Sequence, residues 1–531
     1  MISLYWFVLV PVLTGTLLYL IPLRVSRLIA VAVQTALLGF TIGLFFDVRA
    51  SGTVQASPGG WPLPAGINLT ADTVSVLFLL LTVFLFWLFL IYNLFQTYAG
   101  PLFLTLLLVL QGLIAGIFLA SDLFNLYVLI EVATITVTVL IQFKREKRSI
   151  YDGLIYLMIN MTAMTFFLLG TGMLYRLTGT LDLFLIQQRL AGIPLRDLVL
   201  PCSLMVTAAS LKAALFPLFS WLPKAHGTTG APSVVSAVLS GLYVNVGLFL
   251  LLRLRDLFTP VILLDPLLMV LGFLTAAAGI ILALKQYDIK RLLAYSTISQ
   301  MGLILIGIAH QDPAAEFGSL YHVISHALFK SVLFLIAGLV ADACGTRDLR
   351  RISGMFRRMP VLATAAIIAV LGITGAPFFN GSISKHLISS GSSSRLIDIG
   401  LILINLGTII YCLRFVSIFT DPAPQAARVF VPWNRQFVLI FLALLCLIGG
   451  LFGAQAVSWL FPVTLSFEIS DYLEKIIVYL ASLAAGWLIY RFSADRLVRL
   501  LRKARYEPGF NHMVLALIAF FIGHVVWMLS L

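Results

Sequence analysis

Charged residues are scarce in this 531-residue chain, at 11% of its sequence. A soluble chain carries about a quarter. Hydrophobic residues make up 61%, more than a soluble core can hide. This composition argues against a cytosolic enzyme, a nucleic-acid binder and a disordered scaffold. It favours a polytopic helical membrane protein, because hydrocarbon forces backbone polar groups to pair within each span.

Cofactor motifs are also lacking. The four cysteines are Cys202, Cys344, Cys412 and Cys446, and none forms a C-x-x-C pair. No zinc site, iron–sulfur site or disulfide framework is indicated. The glycine-rich loops that bind nucleotides are missing too. The sequence therefore predicts no metal and no cofactor, so that redox chemistry or ATP hydrolysis would belong to another chain.

Apolar windows of about 20 residues mark the predicted spans. They indicate an all-α polytopic protein with about 14 to 16 transmembrane helices. The predicted regions are N-terminal helices in 1–100 with an outer loop at 47–72, two half-channels at 101–256 and 257–420, and C-terminal helices in 421–531.

The net charge of +13 is explained by topology. When the N-terminus is placed outside, most of the 35 Lys and Arg residues fall in loops that face the cytoplasm. This bias is typical of membrane proteins. It predicts that both termini lie outside a prokaryotic cell membrane, and nucleic acid is not needed to explain the charge.

Two charged residues lie deep within predicted spans, where charge is costly and usually functional. Glu131 is in the middle of one span, and Lys212 is far from either end of another. For Glu131, the alternative is a protonated carboxyl that serves only helix packing. For Lys212, the alternative is a side chain that extends to the membrane interface. If the two meet, the carboxylate would control how firmly Lys212 holds its proton.

A histidine pair precedes a third buried lysine. His322, His326 and Lys330 follow one another at intervals of four residues, which places them on one helix face. Histidine can hold or pass a proton near neutral pH, so this face predicts a relay. Packing histidines are the alternative. A metal site is disfavoured because Lys330 would repel a cation.

Two spans are predicted to be broken. Pro217 follows Lys212, and Gly375 and Pro377 precede Lys385. Proline removes an internal helix bond, and broken spans are tolerated where backbone lines a wet cavity. The two breaks are five spans apart and would run in opposite directions. This pattern predicts an inverted repeat, with a chance pair of prolines as the alternative.

Three further residues are secondary candidates. His226 follows Pro223 in a predicted turn and is expected to line an inner entrance. Lys285 and Asp288 lie at the inner end of a span. We interpret these two mainly as residues of a positively charged inner loop.

Several stretches between about Gly59 and Ile418 occur in the order found in a known family. They are GGWPLPAGINLTADTVS, SDLFNLYVLIEVATI, AASLKAALFPLFSWLPKAHGTTGAPSVVSA, DIKRLLAYSTISQMG, SHALFKSVLFL and APFFNGSISK. The chain resembles the antiporter-like proton-translocating subunits shared by respiratory complex I, Mrp-type cation/proton antiporters and membrane-bound group 4 hydrogenases. The resemblance implies a fourteen-helix core, two inverted five-helix bundles and broken helices 7 and 12.

The resemblance also implies a chain of charged residues along the middle of the membrane. By this resemblance, Glu131 looks like the helix-5 carboxylate and Lys212 looks like the helix-7 lysine. The helix-11 connection is represented by His322, His326 and Lys330. Lys385 looks like the helix-12 lysine near the exit.

The chain departs from the family pattern at two places. Members of the resembled family usually carry a Lys or His in helix 8, in a pattern like SGLLTKVG. This chain reads SGLYVNVG, with Asn245 there, and an amide does not titrate near neutral pH. Either water bridges this position or the subunit pumps poorly. Residues 494–511 could form at most about 27 Å of helix. That length disfavours the far-end subunit of complex I and favours the D-type subunit of Mrp antiporters and its hydrogenase relatives.

These features predict proton or proton/cation translocation by a subunit of a multisubunit membrane complex. The expected partners are other membrane subunits, H⁺ with or without Na⁺, and the lipid bilayer, with no nucleic acid. The chain would have no redox or hydrolytic site of its own, although its complex could be a translocating oxidoreductase. The alternatives are a non-pumping structural subunit and a self-sufficient cation/proton antiporter.

Overall fold

A computed structural model describes residues 3–530 except 229, 311, 391–393, 421–427, 462, 464–468 and 503–507. Within these residues, 13 helices are long and apolar enough to cross a membrane. Together with the shorter helix Trp6–Leu18 and two interrupted helices, they account for the predicted spans. The chain is therefore a helical, multi-pass membrane protein.

The helices fall into four consecutive groups. The N-terminal group is α1 Trp6–Leu18, α2 Leu23–Ser51 and α3 Thr73–Asn93. The second group is α4 Pro101–Leu119, α5 Leu123–Ile141, α6 Lys147–Thr178, α7 Leu183–Leu190, α8 Leu195–Lys212, α9 Trp221–Gly227, α10 Ser233–Val238, a π-helical turn Leu239–Tyr243 and α11 Val244–Phe258.

The third and fourth groups come next along the chain. The third is α12 Asp265–Lys285, α13 Ile289–Ile308, α14 Pro313–Cys344, α15 Met355–Arg358, α16 Pro360–Thr374, α17 Asn380–Ser390 and α18 Arg395–Thr420. The fourth is α19 Trp433–Leu451, α20 Gly453–Leu460, α21 Ile469–Arg502 and α22 Phe510–Leu529. Short 3₁₀ turns occupy Pro58–Gly60 and Leu349–Arg351.

The predicted outer loop 47–72 is partly wrong. Helix α2 continues through Asp47 and Arg49 to Ser51, because charged residues lower hydropathy without breaking a helix. The rest of the loop contains an antiparallel hairpin of β1 Val54–Ala56 and β2 Leu69–Ala71. This short hairpin is an addition to an otherwise helical fold, and its strands carry no long apolar run that would have predicted them.

The two predicted helix breaks are present in the structure. Helix α8 ends at Lys212, and the backbone then leaves the helical path, with Ala214 at a φ of 54°, before α9 begins. Helix α16 ends at Thr374 and is followed by Gly375, whose φ of 76° is left-handed. In each case a proline, Pro217 or Pro377, lies in the non-helical segment and cannot donate a backbone hydrogen bond.

Helices α6 and α14 match each other in their positions within the second and third groups. Each has 32 residues and ends at a left-handed glycine, Gly179 with a φ of 68° and Gly345 with a φ of 63°. Glycine adopts this conformation at little cost, which makes it the usual residue just after a helix. The second and third groups therefore share one helix pattern.

A short backbone bridge recurs in both groups. Asp122 pairs with Asp182 beside the start of α5, and Asp288 pairs with Asp348 beside the start of α13. Asp122 and Asp288 also accept backbone N–H groups at the first turns of these helices. Outside the spans, a hydrogen bond from Arg350 lowers the pKa of Asp348 to about 2.

Candidate functional site

Lys212 is buried at the last residue of α8, directly before the break. Its ammonium donates a hydrogen bond of 2.6 Å to Thr134 Oγ1 on α5. Thr134 Oγ1 also lies 3.1 Å from the Tyr243 hydroxyl in the π-helical turn. The same ammonium lies 5.7 Å from the centre of the Tyr243 ring. A buried ammonium needs such oxygen and ring partners, because it has donors and no acceptor.

Glu131 lies on the same helix as Thr134 but is only half-buried. Within the described residues it forms no ion pair with Lys212 at 4 Å or less. The two charges are nevertheless close enough to interact electrostatically. Glu131 and Thr134 are three residues apart and therefore share one face of α5. The predicted pair thus interacts at a distance, with Thr134 in direct contact with the lysine.

Lys330 is fully buried on α14. Its ammonium donates to the Leu293 carbonyl at 3.0 Å and forms a short hydrogen bond with Ser296 Oγ, both on α13. One turn earlier, His326 is also fully buried, with its ring edge-on to Phe329 at a centroid distance of 5.6 Å. Neither ring nitrogen of His326 has a partner among the described residues.

His322 connects α14 to two other helices. Its Nδ1 lies 2.7 Å from Ser384 Oγ on α17, and its Nε2 lies 3.0 Å from Gln300 Oε1 on α13. With the Gln300 oxygen as acceptor, the neutral imidazole carries its proton on Nε2. The Gln300 amide in turn donates to the Tyr411 hydroxyl on α18 at 3.1 Å. His322 therefore belongs to a polar network next to Lys385.

Lys385 is held at the second helix break. Its ammonium donates to the Ile373 carbonyl at 2.7 Å and to Asn405 Oδ1 at 2.8 Å. The end of α16 provides the Ile373 carbonyl, and helix C-terminal carbonyls favour a nearby cation. Lys385 also lines a cavity of about 400 Å³ that includes Asp398 and Lys475. The Lys385 ammonium therefore lies between these buried polar partners and the cavity.

A larger cavity lies between the second and third helix groups. It has a volume of about 1430 Å³, and its lining includes six basic side chains and two aspartates. Lys285 and Asp288 both line it, and Asp288 forms an ion pair with Arg347 at 3.2 Å. The structure therefore places both residues on one vestibule, in agreement with their position at a span end.

His226 is not among the residues that line this vestibule. It is fully buried in α9, and its ring stacks on Phe334 of α14 at a centroid distance of 4.5 Å. The sequence predicted a turn after Pro223, but α9 continues to Gly227 and carries the histidine into the bundle. The predicted turn at His226 is therefore wrong, and its place at an inner entrance stays a prediction.

Asn245 is fully buried on α11, and its amide donates to the Gly241 carbonyl at 2.8 Å. Its Oδ1 atom has no protein partner within the part of the chain that the structure describes. Buried acceptors of this kind are usually satisfied by water. The same helix packs closely on α8 at Gly247, where a Cβ atom would lie 2.1 Å from the Ala213 nitrogen.

Gly247→Ala is expected to destabilise the protein by at least about 1–3 kcal/mol, as overpacking does. The added methyl group would meet backbone atoms beside Lys212, which cannot rotate away. Thermal unfolding of the purified complex measures the effect. Gly43→Ala is the control, because a Cβ there meets nothing within 4 Å. Equal melting temperatures for the two variants would contradict this packing.

Sequence reasoning did not identify the hydroxyl and amide groups that hold these side chains. They are Thr134, Tyr243, Ser296, Gln300, Ser384 and Asn405. Such residues are common in membrane helices, so their presence alone is weak evidence. The signal that could have identified two of them was their position, because Ser296 and Gln300 fall within the family-like stretch DIKRLLAYSTISQMG.

No group of three or more His, Cys, Asp or Glu residues could hold a metal ion within the described ranges. The chemistry that the arrangement offers is proton exchange. Lysine and histidine nitrogens alternate between protonated and neutral forms, and the surrounding hydroxyls both donate and accept hydrogen bonds.

Comparison with known proteins identifies the family. A family model described as NADH:quinone oxidoreductase/Mrp antiporter, TM matches residues 120–410. NADH-quinone oxidoreductase subunit N of Desulforudis audaxviator is 32% identical over 496 residues, with 83% of this chain and 96% of that protein covered. The chain belongs to this family. The resemblance seen in the sequence motifs is thus confirmed.

A second relative is the D-type subunit of the Na(+)/H(+) antiporter of Alkalihalophilus pseudofirmus. It is 31% identical over 392 residues, with 71% of this chain and 78% of that protein covered. The fold is similar to a chain of an archaeal membrane-bound sulfane sulfur reductase, with a TM-score of 0.81, 22% identity, and 91% and 99% coverage of the two chains.

A chain of the Mrp complex from Dietzia sp. DQ12-45-1b has a similar fold, with a TM-score of 0.78 and 23% identity. The match covers 99% of this chain and 58% of that chain. The family fold therefore extends over nearly all of the present protein.

Proposed function

We propose that this chain translocates protons across the membrane as the antiporter-like subunit of a multisubunit complex. One observation carries the proposal. Lys212, Lys330, His322 and Lys385 all lie within the helical bundle, and each forms a hydrogen bond with a neighbouring helix. Burying this many ionisable groups is costly in a membrane, so their retention favours a proton path over simple packing.

The proposed path runs from the vestibule to the cavity at Lys385. Protons enter near Lys212, cross laterally by way of Lys330, His326 and His322, and leave by Lys385. The contact between His322 and Ser384, the residue before Lys385, supports the last step. One cavity lies beside each helix break, so that each end of the proposed path opens into a cavity.

Glu131 has a modulating role in this proposal. Its carboxylate interacts with the Lys212 charge without touching it. A small movement of α5 would therefore change how firmly Lys212 holds a proton. A neighbouring subunit could use such a movement to drive transport, through redox chemistry or through a cation moving in the opposite direction.

The two half-channels, 101–256 and 257–420, form inverted repeats with broken helices 7 and 12 in this proposal. Three observations support the repeat: the matched 32-residue helices, the recurring aspartate bridges and the two breaks that follow or precede a lysine. Repeats of opposite direction place equivalent half-paths on opposite sides of a membrane. One repeat would then take protons up and the other would release them.

Membrane placement and partners complete the proposal. The basic vestibule faces the cytoplasm, in keeping with the positive-inside rule, and both termini lie outside a prokaryotic cell membrane. The names of the relatives, a subunit of NADH-quinone oxidoreductase and a subunit of a Na(+)/H(+) antiporter, support assembly with other membrane subunits. They also favour H⁺, with or without Na⁺, as the transported ion.

A non-pumping structural subunit is the second candidate function. Asn245 favours it, because an amide stands where relatives carry a titrating side chain and does not exchange protons near neutral pH. The two functions differ in one respect that can be measured. In a pumping subunit, transport requires the buried charges, whereas in a structural subunit only folding and assembly require them.

Glu131→Gln is expected to slow proton transport by the intact complex several-fold without changing its assembly. The substitution preserves the shape of the side chain and removes the charge that acts on Lys212. Initial rates of proton uptake in inverted membrane vesicles measure the effect. Glu146→Gln is the control, because that carboxyl is exposed at the start of α6. Unchanged rates in both variants would support the structural candidate.

A further inference from the structure

One helix separates the two central lysines. The rod from Ser233 to Phe258 packs on Lys212 and Ala213 at Gly247. On another face, a Cβ at Gly241 would lie 3.4 Å from the Ala327 carbonyl oxygen on the Lys330 helix. The rod therefore contacts both the break beside Lys212 and the helix that carries Lys330.

The middle of the rod offers no acid, lysine or histidine for proton transfer between the two lysines. Its sequence from 233 to 252 is SVVSAVLSGLYVNVGLFLLL. The polar side chains that remain are hydroxyls and the amide of Asn245. A hydroxyl both donates and accepts a hydrogen bond, so it can pass a proton without holding a charge.

The first hydroxyl pair touches Lys212. Its ammonium donates to Thr134 Oγ1 at 2.6 Å, and Thr134 Oγ1 lies 3.1 Å from the Tyr243 hydroxyl of the rod. All three side chains are buried. A proton that leaves Lys212 therefore has a hydrogen-bonded route onto the π-helical turn.

The second pair lies on the side of Lys330. Ser240, three residues before Tyr243 in the same π-helical turn, places its hydroxyl 2.7 Å from Thr297 Oγ1 on α13. The residue before Thr297 is Ser296, whose hydroxyl holds the Lys330 ammonium. Both pairs therefore converge on one turn of the rod. Turns of π geometry are frequent at functional sites.

We propose that the hydroxyls of Thr134, Tyr243, Ser240 and Thr297 carry protons between Lys212 and Lys330 in place of the missing titratable side chain. In each transfer, an oxygen accepts one proton on a lone pair and releases its own to the next acceptor. Lys212 becomes neutral as it gives its proton to Thr134. A water beside the Leu293 carbonyl, to which the Thr297 and Ser296 hydroxyls both donate, takes the proton from Thr297 to Ser296. Ser296 then passes a proton to neutral Lys330. Water bridges the step along the turn from Tyr243 to Ser240.

This inference rests on the proposed function and adds the link between its two halves. It also removes the main support for the structural candidate. Asn245 then leaves the path functional, because the exchange takes place on its neighbours in the turn. One hydroxyl pair joins the rod to a group that holds Lys212, and the other joins it to the residue beside Ser296, which holds Lys330.

The test uses Tyr243→Phe and Thr297→Val in the intact complex, assayed for proton uptake by inverted vesicles. Each variant keeps the side-chain shape and removes one hydroxyl. Each is expected to slow transport on the order of 100-fold, the contribution of a positioned proton-transfer group. Thr297→Ser, which restores a hydroxyl, is expected to transport near the normal rate. Tyr92→Phe and Thr82→Val are buried controls on α3.

The outcomes separate this inference from the proposed function. Normal transport by both Tyr243→Phe and Thr297→Val, with an inactive Lys212→Met variant, would overturn the hydroxyl link and leave the function in place. Slow transport by Thr297→Ser would also overturn it, since shape would then matter instead of the hydroxyl. An active Lys212→Met variant would overturn the function itself.

Discussion

Lys330→Met is expected to abolish proton transport while the chain still folds and assembles. The lysine is fully buried, bonds to Ser296 on α13 and lies one helical turn after His326 on α14. Methionine has a similar length and adapts to irregular packing, but it carries no exchangeable proton. The expected loss of rate is at least on the order of 100-fold, as for other positioned proton-transfer groups.

Stability should change much less than transport in this variant. Loss of the ammonium leaves Ser296 Oγ without this donor, which costs about 1–3 kcal/mol for an unsatisfied group, whereas the Leu293 carbonyl still accepts from the Ser296 and Thr297 hydroxyls. Removing a buried charge offsets part of this cost, because the desolvation of that charge is no longer required. The assay is proton uptake at matched amounts of assembled complex.

Ser331→Ala is the matched control for Lys330→Met. Ser331 is the next residue on α14 and is also buried. Its hydroxyl donates to the Ala327 carbonyl of its own helix at 2.7 Å. This control is expected to transport at nearly the normal rate. Retention of transport by Lys330→Met would show that the lateral path does not use this lysine.

The charged residues of the site could be predicted because they stand out against an apolar background. Glu131, Lys212 and Lys330 interrupt long hydrophobic runs, and any charge there is unusual. The two helix breaks were also predictable, since proline and glycine have local effects on the backbone. Pro217 and Gly375 act through their own geometry and need no knowledge of distant contacts.

The groups that hold these charges could not be predicted from sequence alone. Thr134 and Asn405 contact lysines more than a helix away, and only the three-dimensional packing brings them together. The same holds for Gln300, which contacts His322 from α13. Hydroxyls and amides occur throughout these helices, so their composition gives no indication of which ones face a lysine.

Two local predictions were wrong for different physical reasons. Helix α2 ends later than its hydropathy indicates, because Asp47 lowers the hydropathy while helical hydrogen bonding continues to Ser51. His226 was expected in a turn, but α9 extends beyond Pro223 and buries its ring against Phe334. Proline disrupts the helix that precedes it more than the one that it begins.

Lys212→Met is the second substitution with a large expected effect. The ammonium has Thr134 as its hydrogen-bond partner and lies in electrostatic range of Glu131, so it is the point where a movement of α5 would act. Loss of this lysine is expected to stop transport, with a rate at least on the order of 100-fold lower. Lys144→Met, at an exposed position, is the control.

Lys212→Arg separates a transferred proton from a fixed positive charge. Arginine keeps the charge but does not release a proton at any pH that proteins tolerate. A path that needs proton exchange is therefore blocked by both substitutions. A charge that only stabilises the bundle would be preserved in the arginine variant, and its transport would remain.

The most direct test of the central claim is proton uptake by inverted vesicles that carry the intact complex with Lys212, Lys212→Met or Lys212→Arg at equal amounts. The proposed function predicts normal uptake for the first and loss of uptake for both variants, with assembly unchanged. Normal uptake by Lys212→Met would contradict the claim that this chain carries protons through its buried lysines.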